Sequence, residues 1–304
     1  MSTAVLQNSK SHKQGKHIAQ TLFDIFILLI SITLFLLPFI NLICVSVSSS
    51  RAVLSGEVFF WPIEPQLAAW KTVLKNQALI YSLFLTIFLT IIYSFLALIL
   101  IMLAAYPLSR KNLKGRNKLI VFFMITMYFS GGLIPTYLLV QGLHLINTFW
   151  ALVLPGLFSV YNMLILKTFY QNIPDSFEES AKIDGANDFQ VLFKIYFPLS
   201  LPAMATLALF FAVGRWNSFS DALYYLPTRK DLYPLQMLLQ QIIQAVGDTE
   251  TQMQKADGLY GTVKVLSESQ KAANILFTVV PIILVYPWLQ KYFVKGIMLG
   301  SIKG

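Results

Sequence analysis

The chain has 304 residues, of which 56% are hydrophobic and only 12% charged, with 23 Lys and Arg against 14 Asp and Glu. Soluble domains carry about 25% charged residues, so this composition, with a mean hydropathy of +0.65, excludes an ordinary water-soluble fold. The single cysteine, Cys44, excludes a disulfide framework, and the net charge of +9 is no pointer to nucleic acid, because the cytoplasmic loops of membrane proteins are basic as a rule.

The apolar runs are longer than the ~18 residues that mark a transmembrane helix, and they do not alternate as barrel strands do. The expectation is therefore an all-α polytopic membrane protein. Residues 1–20, with Lys10, Lys13 and Lys16, read as an irregular polar tail. The first span covers about 21–47; it is too long for a signal-peptide core, and no clear cleavage site follows, so it reads as an anchor. An outer loop follows with Phe60, Trp61 and Trp70, aromatics suited to the headgroup belt. The second span, about 79–107, runs into the basic loop Ser109 to Lys118. The third, about 119–142, is interrupted by Gly131, Gly132 and Pro135. Such breaks are tolerated where protein or a water-filled cavity satisfies the freed backbone, so the break is either a pathway element or a packing kink.

The fourth span is placed at about 149–170 and the fifth at about 199–221. A long polar stretch, about 222–272, follows, in which Tyr233 to Val246 has helical periodicity through Leu235, Leu238, Leu239, Ile242 and Ile243. A sixth span, about 273–294, leads to a tail over 295–304. Counted over alternating loops, fourteen Lys and Arg fall on the side of the two termini, the second–third loop and the loop between spans four and five; eight fall on the other. The positive-inside rule makes the first side cytoplasmic.

That loop, Pro174 to Pro202, carries the most information. It holds five carboxylates: Asp175, Glu178, Glu179, Asp184 and Asp188. Pro174, or the pair Ser176 and Glu179 two residues on, starts a helix. Gly185 ends it, Asn187 or Asp188 caps a second, and Pro198 ends that one. From these residues alone it reads as a pair of short helices at the membrane surface, either offered to a soluble partner or lying on the bilayer.

The series Glu179-Ser180-Ala181, three residues, Gly185, nine residues, Ile195-Tyr196-Phe197-Pro198 resembles the EAA loop of ABC importer permeases. Ser180 stands for the family's first Ala and Phe197 for its Leu. The outer Phe60-Trp61-Pro62, Asn147-Thr148 before the fourth span, Trp216-Asn217 late in the fifth and the tail Gly296 to Gly304 are similar to the MalG-like permeases of carbohydrate importers, in particular their LplC/YtcP-like group. The resemblance implies a six-span permease domain over 21–294, with its coupling loop at 171–198. It implies ATPase coupling through Glu178, Glu179, Ser180, Ala181, Asp184, Gly185, Ala186, Ile195 and Pro198. It further implies a second homologous permease, a dimer of ABC ATPase subunits carrying ATP and Mg, an extracytoplasmic solute-binding protein, and a sugar or oligosaccharide cargo crossing a bacterial plasma membrane. The tail would reach the ATPase dimer.

The chain itself has no phosphate-binding G-x-x-x-x-G-K-[ST] motif and no catalytic or metal-ligand constellation, so no cofactor is expected on it. Arg215 is the one strong charge within a span; it lines the pathway, snorkels outward or pairs with Asp221. Trp216, Asn217, Tyr128, Ser130, Gly131, Gly132 and Thr136 are the other pathway candidates. A stand-alone secondary transporter, the alternative, calls for intramembrane carboxylates and internal repeats, and the spans carry carboxylates only at their ends, at Asp24 and Asp221. A membrane enzyme calls for paired acids or histidines, which are absent. An importer of another solute remains the rival within the same machine.

Overall fold

The computed structural model describes residues 2–253 and 268–301, and the side chains within 20–244, 268–285 and at 287. The described residues are helical, without strands. The helices are α1 (Ser2–Val47), α2 (Ser50–Leu54), α3 (Ala68–Lys75), α4 (Gln77–Ser109), α5 (Arg116–Tyr128), α6 (Leu133–Gly142), α7 (Val160–Gln171), α8 (Ser176–Ile183), α9 (Asp188–Val191), α10 (Phe197–Leu199), α11 (Leu201–Asn217), α12 (Ser220–Tyr225), α13 (Leu235–Met253) and α14 (Glu268–Ser301). Short 3₁₀ turns stand at Phe149–Leu152 and Lys230–Leu232, and a π-helical turn at Leu192–Tyr196.

Three stretches are long and apolar enough to cross a membrane by themselves: Gln20–Val47, Gln77–Ser109 and Glu268–Val285. Two further pairs qualify only when joined across a sharp bend, α5 with α6 at 109° and α9–α10 with α11 at 82°. The first bend falls at the Gly131-Gly132 break, where Gly132 has φ +85. The expected fourth span is not one helix. A 3₁₀ turn over Phe149–Leu152, then Pro155 and Gly156 at φ +74, precede the twelve residues of α7. Left-handed φ at Gly156 and the conformational limits set by Pro155 stop a continuous helix there.

The amino-terminal tail differs from expectation as well, since α1 runs back to Ser2. Its Ala, Gln, Leu and Lys are good helix formers, and no proline intervenes before Pro38. Pro198 does not end the second loop helix: α10 includes it, and the chain breaks at Ser200. The π turn ahead of it, where Phe197 N–H reaches back to Leu192 O, takes up the extra residue and lets helical structure continue into the proline. The periodic stretch after Tyr233 is helical as expected, in α13, while the residues between 253 and 268 lie outside the described part.

The chain divides into two units. The first takes in α1 to α3 and α14 as far as Leu276. One cluster of its core is Cys44, Ala52 and Val58, and Val73, Ala272 and Ala273 are buried as well. Side chains of α1 tie down the following loop, Asn41 donating to the Val58 and Phe59 carbonyls at 3.2 and 3.0 Å, and Ser46 Oγ accepting from Trp70 Nε1 at 3.2 Å. Trp70 is thus a strut, whereas Trp61 is 81% exposed. Much of α1 shows large apolar side chains outward, Leu34 and Phe35 among them, as a helix in lipid does.

The second unit begins at Asn76 and is built around α4, with α7 and α11 packed on it. Ala97, Ile101 and Ala105 of α4, Met163 and Leu166 of α7 and Leu207 of α11 are fully enclosed. The alanines let backbones approach closely, the usual way to gain dispersion contacts where lipid offers no hydrophobic driving force. Leu235 N–H, opening α13, donates to Thr86 Oγ1 of α4 at 2.8 Å, so the start of α13 is anchored to the bundle.

Candidate functional site

Two constructions in the second unit bring chemistry-bearing residues together. One is the loop from Pro174 to Ser200. The α8 helix opens with Glu178 and Glu179 N–H both donating to Asp175 O at 3.0 Å. Its stop is a complete Schellman motif: Ala186 N–H donates to Ala181 O at 2.9 Å and Gly185 N–H to Lys182 O at 3.0 Å, with Gly185 at φ +83. A Cβ on Gly185 would meet nothing within 4 Å, so the requirement for glycine is conformational. Two residues later Asn187 and Gln190 form a reciprocal capping box, both bonds 2.9 Å, which starts α9. The two caps back to back fix the hinge between the helices.

Glu178 and Glu179 are neighbours with opposite fates. Glu179 is exposed with Ser180, Asp184 and Gly185. Beside them Phe177 is 48% and Ile183 86% exposed, so α8 shows a mixed acidic and apolar face. Ala181, Ala186 and Ile195 turn inward and pack on the core, and Pro198 is exposed.

Glu178 is buried. It pairs with Arg110, the residue that closes α4, and with Lys182 at 2.7 Å one turn on. The Arg110 guanidinium lies 4.8 Å from the Tyr106 ring centroid and 4.2 Å from that of Tyr196. Tyr196 in turn meets Tyr106 and Tyr170 edge to face, both at 5.3 Å. An aromatic box from α4, α7 and the π turn therefore holds a cation whose carboxylate comes from α8. A guanidinium keeps its charge and stacks on ring faces, which suits a charge that must be partly desolvated. The carboxylate of Glu178 accepts from Lys182 and holds that ammonium's pKa above its ordinary 10.5.

The other construction is a cavity of about 450 Å³ about 25 Å along α4 from Arg110, at 1.5 Å per residue. Tyr93 of α4, Thr136 of α6, Ser159 capping α7 and Asn162 within it, Phe211 and Arg215 of α11, and Asp221 and Tyr225 of α12 line it. Arg215 is not presented to the opening. Its side chain is 2% exposed; Nη1 donates to Leu152 O at 2.8 Å and to Asp221 Oδ2 at 2.6 Å, and the guanidinium stands 5.5 Å from the Tyr93 ring centroid. Nε and Nη2 are buried without a partner. Asp221 is the more accessible partner at 27%. Tyr93 OH donates to Gly156 O at 2.7 Å, so the Pro155-Gly156 break forms part of the wall.

Of the eight residues singled out for the pathway, the cavity gathers Thr136 and Arg215. Tyr128 ends α5 with 71% exposure, and Ser130, Gly131 and Gly132 form the break after it. Trp216 is buried, and Asn217 bonds to Val213 O. Residue patterns alone missed Arg110, Tyr106, Tyr93 and Asn162. Their only local signals were a cation next to a span end and polar groups within apolar runs.

Comparison with known proteins agrees with this architecture. The family model described as "Binding-protein-dependent transport system inner membrane component" matches residues 117–299. The chain is 41% identical to the polygalacturonan/rhamnogalacturonan transport system permease protein YtcP of Bacillus subtilis (strain 168), over 93% of this chain and 99% of that one. It is 39% identical to protein LplC of the same organism, over 88% and 90%. A crystal structure of a bacterial ABC transporter involved in the import of the acidic polysaccharide alginate contains a chain that superposes with a TM-score of 0.81 at 31% identity, covering 91% of this chain and 98% of that one. The chain belongs to the binding-protein-dependent transport system inner membrane component family, as a permease of the ABC transporter type.

Proposed function

We propose that this permease carries a sugar or oligosaccharide into the cell, as one of two homologous membrane subunits driven by a dimer of ABC ATPase subunits and supplied by an extracytoplasmic solute-binding protein. The observation that carries the reading is the presentation of α8. Its inner face is pinned to α4 by Glu178 and Arg110, while Glu179, Phe177 and Ile183 are left outward for a partner. The sugar assignment rests on relatives named for polygalacturonan and alginate transport. ATP and Mg would be held by the ATPase subunits, since this chain has no phosphate loop.

Closure of the ATPase dimer would displace the cleft that receives α8. Because α8 is pinned to the end of α4, and α7 and α11 pack on α4, displacement at Glu179 to Gly185 is passed to the spans as one body. The coupling needs a contact that differs between the two states, and Glu179, Ser180, Asp184 and Gly185 supply its exposed part, with Ala181, Ala186, Ile195 and Pro198 fixing its shape. The cytoplasmic side of both termini, the six crossings and the bacterial plasma membrane belong to the same proposal, supported by the basic second–third loop. Arg215 and Thr136 at the cavity, and Tyr128, Ser130, Gly131, Gly132, Trp216 and Asn217 nearby in sequence, mark the cargo route.

The test is purification of the tagged chain in mild detergent, beside Glu179→Ala and Gly185→Pro variants. An ATPase and a second permease should accompany the wild type, and the variants should lose assembly or stimulated ATP hydrolysis. A chain that purifies alone and moves substrate without an ATPase contradicts the reading.

A further inference from the structure

We propose that the cations where α4, α5 and α7 meet hold the headgroup of an anionic phospholipid. The leaflet is the cytoplasmic one on the orientation proposed above; the site itself does not depend on that orientation. The loop between α4 and α5 brings Lys111 and Lys114, both exposed, and α5 opens with Arg116 and Lys118. Lys167 joins them from α7, which packs on α5, and stands close enough to Arg116 for the two charges to repel. None of the five forms an ion pair among the described residues. The loop that carries them is held in place. Leu113 packs against the core, Gly115 turns the chain at φ +77, and Arg116 Nε donates to Leu108 O at 2.8 Å.

Lys167 decides between a ligand and a mere topology signal. Cations confined to the loop would follow from the positive-inside rule alone. Lys167 is not a loop residue: it lies four residues, about 6 Å, before the end of α7 and is half-buried. Its ammonium has no hydrogen-bond or ion-pair partner among the described residues. A charge at that depth in a spanning helix needs a partner, a wet cavity or a headgroup. A phosphodiester supplies the missing charge and accepts from several donors at once. The surface next to the cations is apolar. The α5 helix buries none of its side chains, and Val121, Phe122 and Ile125, within seven residues of Lys118, are exposed. Acyl chains therefore find a surface continuous with the headgroup site, and basic pockets between helices at the cytoplasmic side are a common form of such a site. A soluble acidic partner would reach the loop but not a cation set back within α7. The α8 face left for the ATPase has the opposite sign, with Glu179 and Asp184.

The test is native mass spectrometry of the purified transporter titrated with an equimolar mixture of phosphatidylglycerol and phosphatidylcholine of the same acyl chains. The readout is the ratio of the two lipids retained, which within one preparation is insensitive to how much protein is folded. Each cation near an anionic surface is worth about fivefold in affinity. Lys167→Gln should therefore lower the phosphatidylglycerol preference by about fivefold, and Lys114→Gln/Lys167→Gln by about tenfold or more. Arg51→Gln/Lys71→Gln, exposed cations of the first unit, should leave it unchanged. A wild-type ratio in the Lys114→Gln/Lys167→Gln variant, or an equal fall in the Arg51→Gln/Lys71→Gln control, overturns the site. Displacement of phosphatidylglycerol by excess glycerol 3-phosphate also overturns it, because the cations then take a soluble phosphate. If the Lys114→Gln/Lys167→Gln variant sheds the ATPase while its lipid ratio holds, the patch docks a protein and the lipid proposal fails. Carbohydrate import is scored separately, by co-purification and stimulated ATP hydrolysis, so either proposal can fail without the other.

Discussion

At the scale of single residues, neighbouring Glu178 and Glu179 place one carboxylate in a buried ion pair and the other on the exposed face of α8. Glu178 is half of an ion pair whose side chains are 11% and 19% exposed, so Glu178→Gln leaves a guanidinium among tyrosine rings without its counter-charge. Fully buried pairs cost about 3–5 kcal/mol to break from one side; with partial exposure we expect about 1–3 kcal/mol, read as a lower melting temperature of the purified chain. Glu179→Gln, on the exposed face, should shift stability by less than about 0.5 kcal/mol and show its effect in ATP coupling instead. The bond from Lys182 has a pH signature. Its folded pKa lies above the ordinary 10.5, so its contribution is fully present below 10.5 and is lost as pH rises through the folded value. Lys182→Met should remove that alkaline component from a stability-versus-pH curve. The spacing of Glu179, Ala181 and Gly185 was legible in sequence because the loop is local. The inward role of Glu178 was not, because Arg110 and the ring of Tyr106 stand far upstream and no periodicity links them.

At the scale of elements, the hinge at Gly185 is legible for a physical reason, since a left-handed residue after a helix selects glycine strongly. Gly185→Ala should destabilise α8 by about 1–2 kcal/mol, and Gly185→Asn by less, because Asn tolerates that region better. Hydrogen exchange over Ser176–Ile183 measures both. The Asn187 cap was legible as well. Pro198 misled, because the π turn before it depends on how Leu192 and Tyr196 pack in the core and not on the proline's own preference. The fourth span misled in the other direction: hydropathy runs smoothly across Pro155-Gly156, while the backbone at Gly156 does not continue as a helix.

At the scale of the whole molecule, composition and charge gave a helical membrane protein with a marked face before any contact was known. The number of crossings is less direct, because two of the candidate spans are helix pairs joined across a sharp bend, and such a bend is set by packing rather than by apolar length. The proposed function uses α4 at two levels, with the charged box about Arg110 at its end and the cavity about Tyr93 near its middle. The central claim is that α8 is the handle by which an ATPase drives this permease. The chain's single cysteine makes a direct test clean. In a Cys44→Ala background, Ile183→Cys, at a position 86% exposed, is labelled with maleimidobenzophenone, whose photoactivated ketone inserts into neighbouring C–H bonds, and irradiated in membranes containing the whole transporter. The account predicts a cross-link to the ATPase subunit, present in transport-competent membranes and altered in yield when ATP is bound. A transport-competent variant that forms no cross-link to an ATPase from this position would contradict it.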